Sequence, residues 1–354
     1  MSEKQEYPGK PLAYLDHNIL DLFTEPKCLL SKESELFKFL KNEVQAVYSP
    51  ITLEEIYRAV VNGKSSIYGL AFLEVLRSLN AQYIELMKDE NNLLTNTIFR
   101  SWEDPLVHFN RYIENNIFKK YTDSFKKVMF AMYGGIKDFD KFEKEQINNL
   151  NSLLLFLEDS LNYLENVKDK DSFILSEIEK YQMEMPKLRA QQKLYEDSVS
   201  LSRKHLEELN KEKPAHRNFR DKLNINIDNL NNIQPPNVLL KIWELLKENN
   251  LELNSMEMED FFQLKQKMVN RENEYYIFEK VNQIYTMLNL IGFDSDSDLH
   301  KEKRFIASFS DMTHASYACF CEYLFTRDGS FSNKTNAAYE YLGVATQIGL
   351  IRLE

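Results

Sequence analysis

The chain has 354 residues, 43% of them hydrophobic, with a net charge of −11 and a pI near 5.3. That suits one large or two modest globular domains, and the acidic balance argues against broad, nonspecific coating of nucleic acid while leaving room for a local basic patch. Cys28, Cys319 and Cys321 make no disulfide framework. The polar opening MSEKQEYPGK and the lack of a run of about eighteen apolar residues predict neither a secretory leader nor a membrane span, and a reducing cytoplasm is the natural setting.

Residues 1–10 read as a loose tail. Leu12–Leu15 is a short apolar strand, closed by Asp16-His17-Asn18. Ser31–Asn42 carries Leu36, Phe37 and Leu40 at helical spacing. Val44–Tyr48 is a second strand, and Ser49-Pro50-Ile51-Thr52-Leu53-Glu54-Glu55-Ile56 follows it. There Ser49 or Thr52 caps a helix, which Ile56, Ala59 and Val60 continue and Asn62-Gly63 would stop. Ile67–Leu79 reads as a helix and Tyr83–Leu86 as a third strand.

From 96 to 300 the text changes. Leu, Glu, Lys and Asn dominate, and apolar residues recur at three and four, as in Leu153, Leu154, Phe156, Leu157, Leu161 and Leu164. The pattern predicts an all-helical insertion, an arm or bundle, that adds no strand to the sheet. Gly134-Gly135 reads as a turn, Pro186 as a kink, Pro214 and Pro235-Pro236 as boundaries, and Gly292 as the cap of a helix ending at Ile291. Residues 1–95 and 301–354 would then form one discontinuous α/β domain with a small parallel sheet.

The last segment is the densest. Asp311 opens a helix-like run with Ala315, Ala318 and Cys319 on it. Tyr323–Thr326 is a strand ending in Thr326-Arg327-Asp328, followed by a helix around Ser332–Tyr341 and a strand at Leu342–Ala345. Parallel sheets bind ligands at the carboxyl ends of their strands. Residues near 14 and 324 are therefore expected on neighbouring parallel strands, and Asp16, Glu55, Asp311 and Asp328 in one pocket. Four carboxylates cannot all stay ionised there without a cation, and hard oxygen ligands suit Mg²⁺ or Mn²⁺.

Plainer readings stand beside these. Asp311 is also a helix cap, Asp328-Gly329 a turn, and Glu54 a first-turn acid. His17 and His314 are general-base candidates or bystanders. Arg327 holds a phosphate or points to solvent. Asp294-Ser295-Asp296-Ser297-Asp298 has Leu299 and Phe305 where a calcium loop needs Gly and Glu, so it reads as a solvated acidic linker. The basic run of Lys211, Lys213, His216, Arg217, Arg220 and Lys222 either touches RNA or is a solvated helix end.

Leu15-Asp16-His17-Asn18-Ile19-Leu20 resembles the opening LDxNxL motif of PIN-domain nucleases. Ser49 through Glu55 resembles the second motif, and Asp311, Ala315, Ala318 and Leu324-Phe325-Thr326-Arg327-Asp328 resemble the third and fourth. The likeness covers about the first ninety and last fifty residues. It implies a PIN-like fold whose metal ligands are Asp16, Glu55, Asp311 and Asp328, with Asn18 and Thr326 as supporting polar groups. It further implies an endonuclease acting on RNA rather than DNA, of toxin or host-defence type. The helical insertion would select the substrate, cover the site, or bind a protein partner or a second copy. The contrasting expectation is an inactive PIN-like protein whose helices act as an interaction scaffold.

Overall fold

The computed structural model describes residues 9–24, 28–61, 66–90, 93–115, 124–265 and 275–353. The expected tail (except for residues 9 and 10) and the Asn62-Gly63 stop lie outside them.

A six-stranded sheet forms the centre of the α/β part. Its strands are β1 Leu12–Leu15, β2 Gln45–Tyr48, β3 Gln82–Lys88, β4 Leu94–Ser101, β5 Tyr323–Thr326 and β6 Gln347–Leu350, in the order β4-β3-β2-β1-β5-β6. All neighbouring pairs are parallel except β3 with β4. Tyr14 is registered with Leu324 and Leu15 with Phe325, as the two acid-terminated strands predicted. β1 is buried along its whole length, which is why it reads as an unbroken apolar run rather than an alternation.

Successive side chains of a strand face opposite ways, and the two faces have different covers. Ala13, Leu15, Ala46, Tyr48 and Phe325 pack with helices α1 His17–Leu20, α2 Glu35–Asn42, α3 Pro50–Val61 and α4 Ser66–Ser78, and with Phe109 of α5 Pro105–Asn115. The chain then runs through α6 Ser124–Met132, α7 Phe139–Asn166, α8 Ser172–Leu209, α9 Ala215–Lys222 and α10 Ile227–Asn231. The other face is covered by α11 Val238–Asn249, α12 Met258–Phe261, α13 Ile277–Ile291, α14 Glu302–Ala318 and α15 Gly329–Leu342. Leu12, Tyr14, Val47 and Leu324 pack there with Ile242, Trp243, Ile284 and Leu288. Each such buried side chain contributes roughly 1.5–3 kcal/mol.

The chain divides into two compact units. One comprises the described residues within Met1–Glu114, Phe219–Ser297 and Ile306–Glu354, the other those within Asn115–Asn218 and Asp298–Phe305. This corrects the expected division at 95/96 and 300/301. Residues 219–297 have the helical period of an insertion, but their apolar stripes are spent on the sheet. The expectation that 96–300 adds no strand is also overturned, because β4 pairs antiparallel with β3, Ile84 against Arg100 and Glu85 against Phe99. β4 is a largely exposed edge strand, so burial imposes no clear apolar alternation on it and it carries little strand signal.

Several local expectations hold. Gly292, at φ +103, caps α13, and a turn at Gly134-Gly135 separates α6 from α7. Pro186 sits inside α8, which runs from Ser172 to Leu209 as a single element, so it does not end the helix. Other expectations fail. The last strand begins at Gln347 rather than Leu342, because α15 continues to Leu342 and Gly343, at φ +66, caps it. Asp311 lies in the middle of α14 and not at its start.

In the second unit, α7 and α8 are antiparallel partners. Asp138 and Asp171 cap their N-termini. Gln192 bonds Asn151 at 2.8 Å, Arg189 pairs with Glu158, and Arg203 with Asp140. Among the described residues no helix is long and apolar enough to cross a membrane.

Candidate metal centre

The chain runs outward from β1 through β2 and β3, then returns to the other side of β1 with β5 and β6. After β1 the chain enters helices on one face, and after β5 it enters α15 on the other. The carboxyl ends of β1 and β5 therefore border the crevice where a parallel sheet binds its ligand.

Asp16 stands at that end of β1. It occupies the N-cap position of α1, yet its side chain makes no capping bond. Thr326 Oγ1 donates to Asp16 Oδ2 at 2.6 Å, and Asn18 Nδ2 donates to the same oxygen at 2.5 Å. Asn18 Oδ1 accepts from Arg327 N at 2.9 Å. Asn18 and Thr326 thus tie the two strand ends together and orient the carboxylate. Asp16 is only 3% exposed.

Ser49, Pro50 and Thr52 start α3. Pro50 takes the first helical position, where its missing N–H costs nothing, and Thr52 reaches back to accept from Ser49 N at 3.3 Å. This start sets Glu55 facing inward. Glu55 Oε2 accepts from His314 Nε2 at 3.0 Å, Oε1 accepts from Arg58 at 3.3 Å, and His17 Nδ1 lies 3.8 Å away. The ring of His17 stacks on Phe72 at 4.1 Å. His314 is fully buried, and its Nδ1 meets Tyr14 OH at 2.7 Å, which in turn meets Ser49 Oγ at 2.6 Å.

Charge follows from this packing. Burial pushes Asp16 up to about 6, with His314 opposing and Glu55 assisting. For Glu55, burial also favours protonation, but His314, His17 and Arg58 outweigh it and hold the carboxyl at about 2. Burial works against a charged His314, yet Glu55 prevails and raises it above its ordinary value. Asp311 is driven well above the usual carboxylate range by burial and then by the charges of Asp16, Asp296, Glu55 and Asp328. Asp311 thus feels the charge of each of the other three predicted acids.

One acid and two cations were missed. Asp296, read from sequence as a solvated linker residue, belongs to this set. Its Oδ2 accepts from Lys334 Nζ at 3.0 Å and from Ser308 Oγ at 2.5 Å. Lys334 is fully buried, bonds Asn289 Oδ1 at 2.9 Å, and lies 4.7 Å from the ring centre of Tyr285. Its signal was a lone Lys on the apolar face of α15 with Phe331, Thr335 and Ala338. His314 was legible as the residue three places after Asp311, hence on the same helix face. Arg58 follows Glu55 by the same three places. Nothing in an acidic pentapeptide singles out Asp296. Asp328 keeps part of its plain role, since its Oδ1 caps α15 through Phe331 N at 2.8 Å.

Ligand atoms of Asp16, Glu55 and His314 lie within 4.8 Å of one another, close enough to share one ion. A second observation supports the fit. The hydroxyl of Tyr285 is buried without a hydrogen-bond partner among the described residues, and after burial its strongest influences are Asp311, Asp296, Asp328 and Asp16. A buried orphan donor among acids is a place for a bound water or ion. The set of two carboxylates and an imidazole differs from the four acids expected. An imidazole suits Mn²⁺ and its neighbours better than Mg²⁺. Arg327, half-buried beside this cluster, makes no side-chain hydrogen bond among the described residues.

Fold and site together define an α/β protein with a mostly parallel sheet and a carboxylate–histidine cluster able to hold a metal ion at the sheet's switch point. Comparison with family models, with curated proteins and with solved structures finds no match.

Proposed function

We propose that this chain is a metal-dependent endonuclease that hydrolyses phosphodiesters, with RNA as its substrate. The observation that carries the reading is the convergence of Asp16, Glu55 and His314 at the carboxyl end of β1, with Asp311 and Asp328 acting on the same pocket. Bound there, a Mn²⁺ or Mg²⁺ ion supplies Lewis-acid activation of water and of the phosphoryl oxygen. The protein's own part is orientation and charge. Thr326 and Asn18 fix the Asp16 carboxylate. His314 and Arg58 hold Glu55 ionised. Arg327, at the β5 end, is positioned to grip a phosphate. The preference for RNA and a toxin or host-defence role come from the likeness to PIN-domain nucleases.

One observation favours a second reading. Lys334 already pairs with Asp296, and Arg58 and His314 with Glu55. Internal cations of this kind suit an inactive pocket in a protein whose helices act as a scaffold. Cleavage of a structured RNA with Mn²⁺, wild type against Asp16→Asn, decides between them. Activity in the wild type that is lost in the variant supports the nuclease, with Glu54→Gln as the active control. Equal activity in wild type and Asp16→Asn rejects the site. No activity together with no metal-dependent change in melting leaves the scaffold.

A further inference from the structure

The outer face of α8 carries an apolar stripe with no packing partner among the described residues. Met183, Leu194 and Leu201 are 58%, 70% and 70% exposed, and Ala190 lies between them, also exposed. The side of α8 that meets α7 is different. It carries the buried Met185, Val199 and Leu206, together with Gln192 and Arg203 that bond α7. At 3.6 residues per turn, Met183, Ala190, Leu194 and Leu201 fall within a narrow strip on the opposite side. A helix that is apolar on two faces packs on both, and α7 and α6 both lie on the face of Met185, Val199 and Leu206, opposite the strip.

The spacing of the strip identifies the second. The steps are seven, four and seven residues, so the pattern is a palindrome about position 192. From Met183 to Leu201 is five full turns, about 27 Å of helix. A two-fold axis at position 192 sets an identical α8 antiparallel to the first. Met183 then meets Leu201 of the other copy, and the small Ala190 meets the large Leu194, each contact occurring twice. Lys187 of each copy comes level with Asp197 of the other. A pattern matched to its own reversal is the mark of an isologous interface, in which residue i meets j and j meets i.

We propose that this face of α8 is the dimerisation surface of the chain, and that the occupant is a second copy in antiparallel register. The contact is narrow, so the dimer is a weak one, in the class below standard interfaces.

The test is sedimentation of the full chain from about 1 µM to about 1 mM, the span between strong and weak association. Wild type is expected to pass from monomer to dimer across that range. Leu194→Glu is expected to weaken dimerisation at least tenfold, with an unchanged circular dichroism spectrum because the position is exposed. A register test accompanies it. In a Cys28→Ser background, which removes the exposed native thiol, a chain with Ala190→Cys is mixed with one carrying Leu194→Cys. Under mild oxidation the mixed 190–194 crosslink should form faster than 190–190 or 194–194. A wild type that stays monomeric throughout, a Leu194→Glu chain that dimerises as well as wild type, or a fastest 194–194 crosslink, which marks parallel pairing, each overturns the proposal.

Discussion

His314 and Glu55 are joined by a hydrogen bond of 3.0 Å across 259 residues of sequence. Glu55 is ionised and can only accept, so Nε2 of His314 carries the hydrogen. Nδ1 faces Tyr14, and the line of bonds continues to Ser49 at the start of α3. One buried imidazole therefore couples β1, α3 and α14.

Removing that imidazole should cost stability. His314→Ala leaves Glu55 without its main partner in a mostly buried position. Breaking a buried pair costs about 3–5 kcal/mol, and the 16% exposure of Glu55 places the loss near the lower end. Urea melts should show the double variant His314→Ala with Glu55→Gln to be more stable than His314→Ala alone. The reverse order would mean that His314 stabilises the fold chiefly through contacts other than Glu55.

Asp16 makes stability without metal depend on pH. Its carboxyl sits at about 6 in the folded chain against an ordinary 3.8. The folded state thus holds the proton more tightly than the unfolded state between those values. Stability falls as pH rises through that window, by about 3 kcal/mol in all at about 1.4 kcal/mol per pH unit. Glu55 works the other way, since its depressed value contributes stability above about 4.5 that is lost as pH falls toward 2. Asp16→Asn removes the first effect, together with the push that the Asp16 charge exerts on Asp311. In EDTA, the advantage of the variant over wild type should grow from pH 4 to pH 6 and then level off. A difference that does not vary with pH would contradict the strained carboxylate.

Lys334 is a buried cation whose loss strands Asp296. Lys334→Met should destabilise by about 3 kcal/mol, and adding Asp296→Asn should recover part of that. Thermal melts of the single and double variants measure it. If Asp296→Asn recovers nothing, the ammonium is held by Asn289 and the Tyr285 ring rather than by the acid.

The charge balance of the pocket sets how many ions it takes. A bound divalent ion would offset the excess of acids over the cations Arg58 and Lys334 in the pocket, and His314 ligates it only by giving up the Nε2 proton that it donates to Glu55 without metal. Titration calorimetry should give a single Mn²⁺ per chain, bound more tightly than Mg²⁺ because an imidazole is among the ligands. Saturation at 100 times the dissociation constant should raise stability by about 2.7 kcal/mol in wild type and not in Asp16→Asn. Two equivalent ions per chain would require a rearranged Glu55.

Much of the sheet was legible in the residues themselves. Leu12–Leu15, Gln45–Tyr48 and Tyr323–Thr326 are central, and their burial on both faces writes itself as short apolar runs closed by polar residues. The positions of Asp16, Glu55 and Asp328 followed, because a strand end or helix start is a local property of the chain. Local signals ended there. β4 is a strand because β3 offers it a hydrogen-bonding edge, and its side chains carry little sign of that. Residues 219–297 and the arm share one helical period, and only contact with the sheet separates them. His314, Asp296 and Lys334 acquired their parts from burial beside groups far away in sequence. Desolvation and Coulomb energy depend on distances through space, and tertiary packing alone sets those.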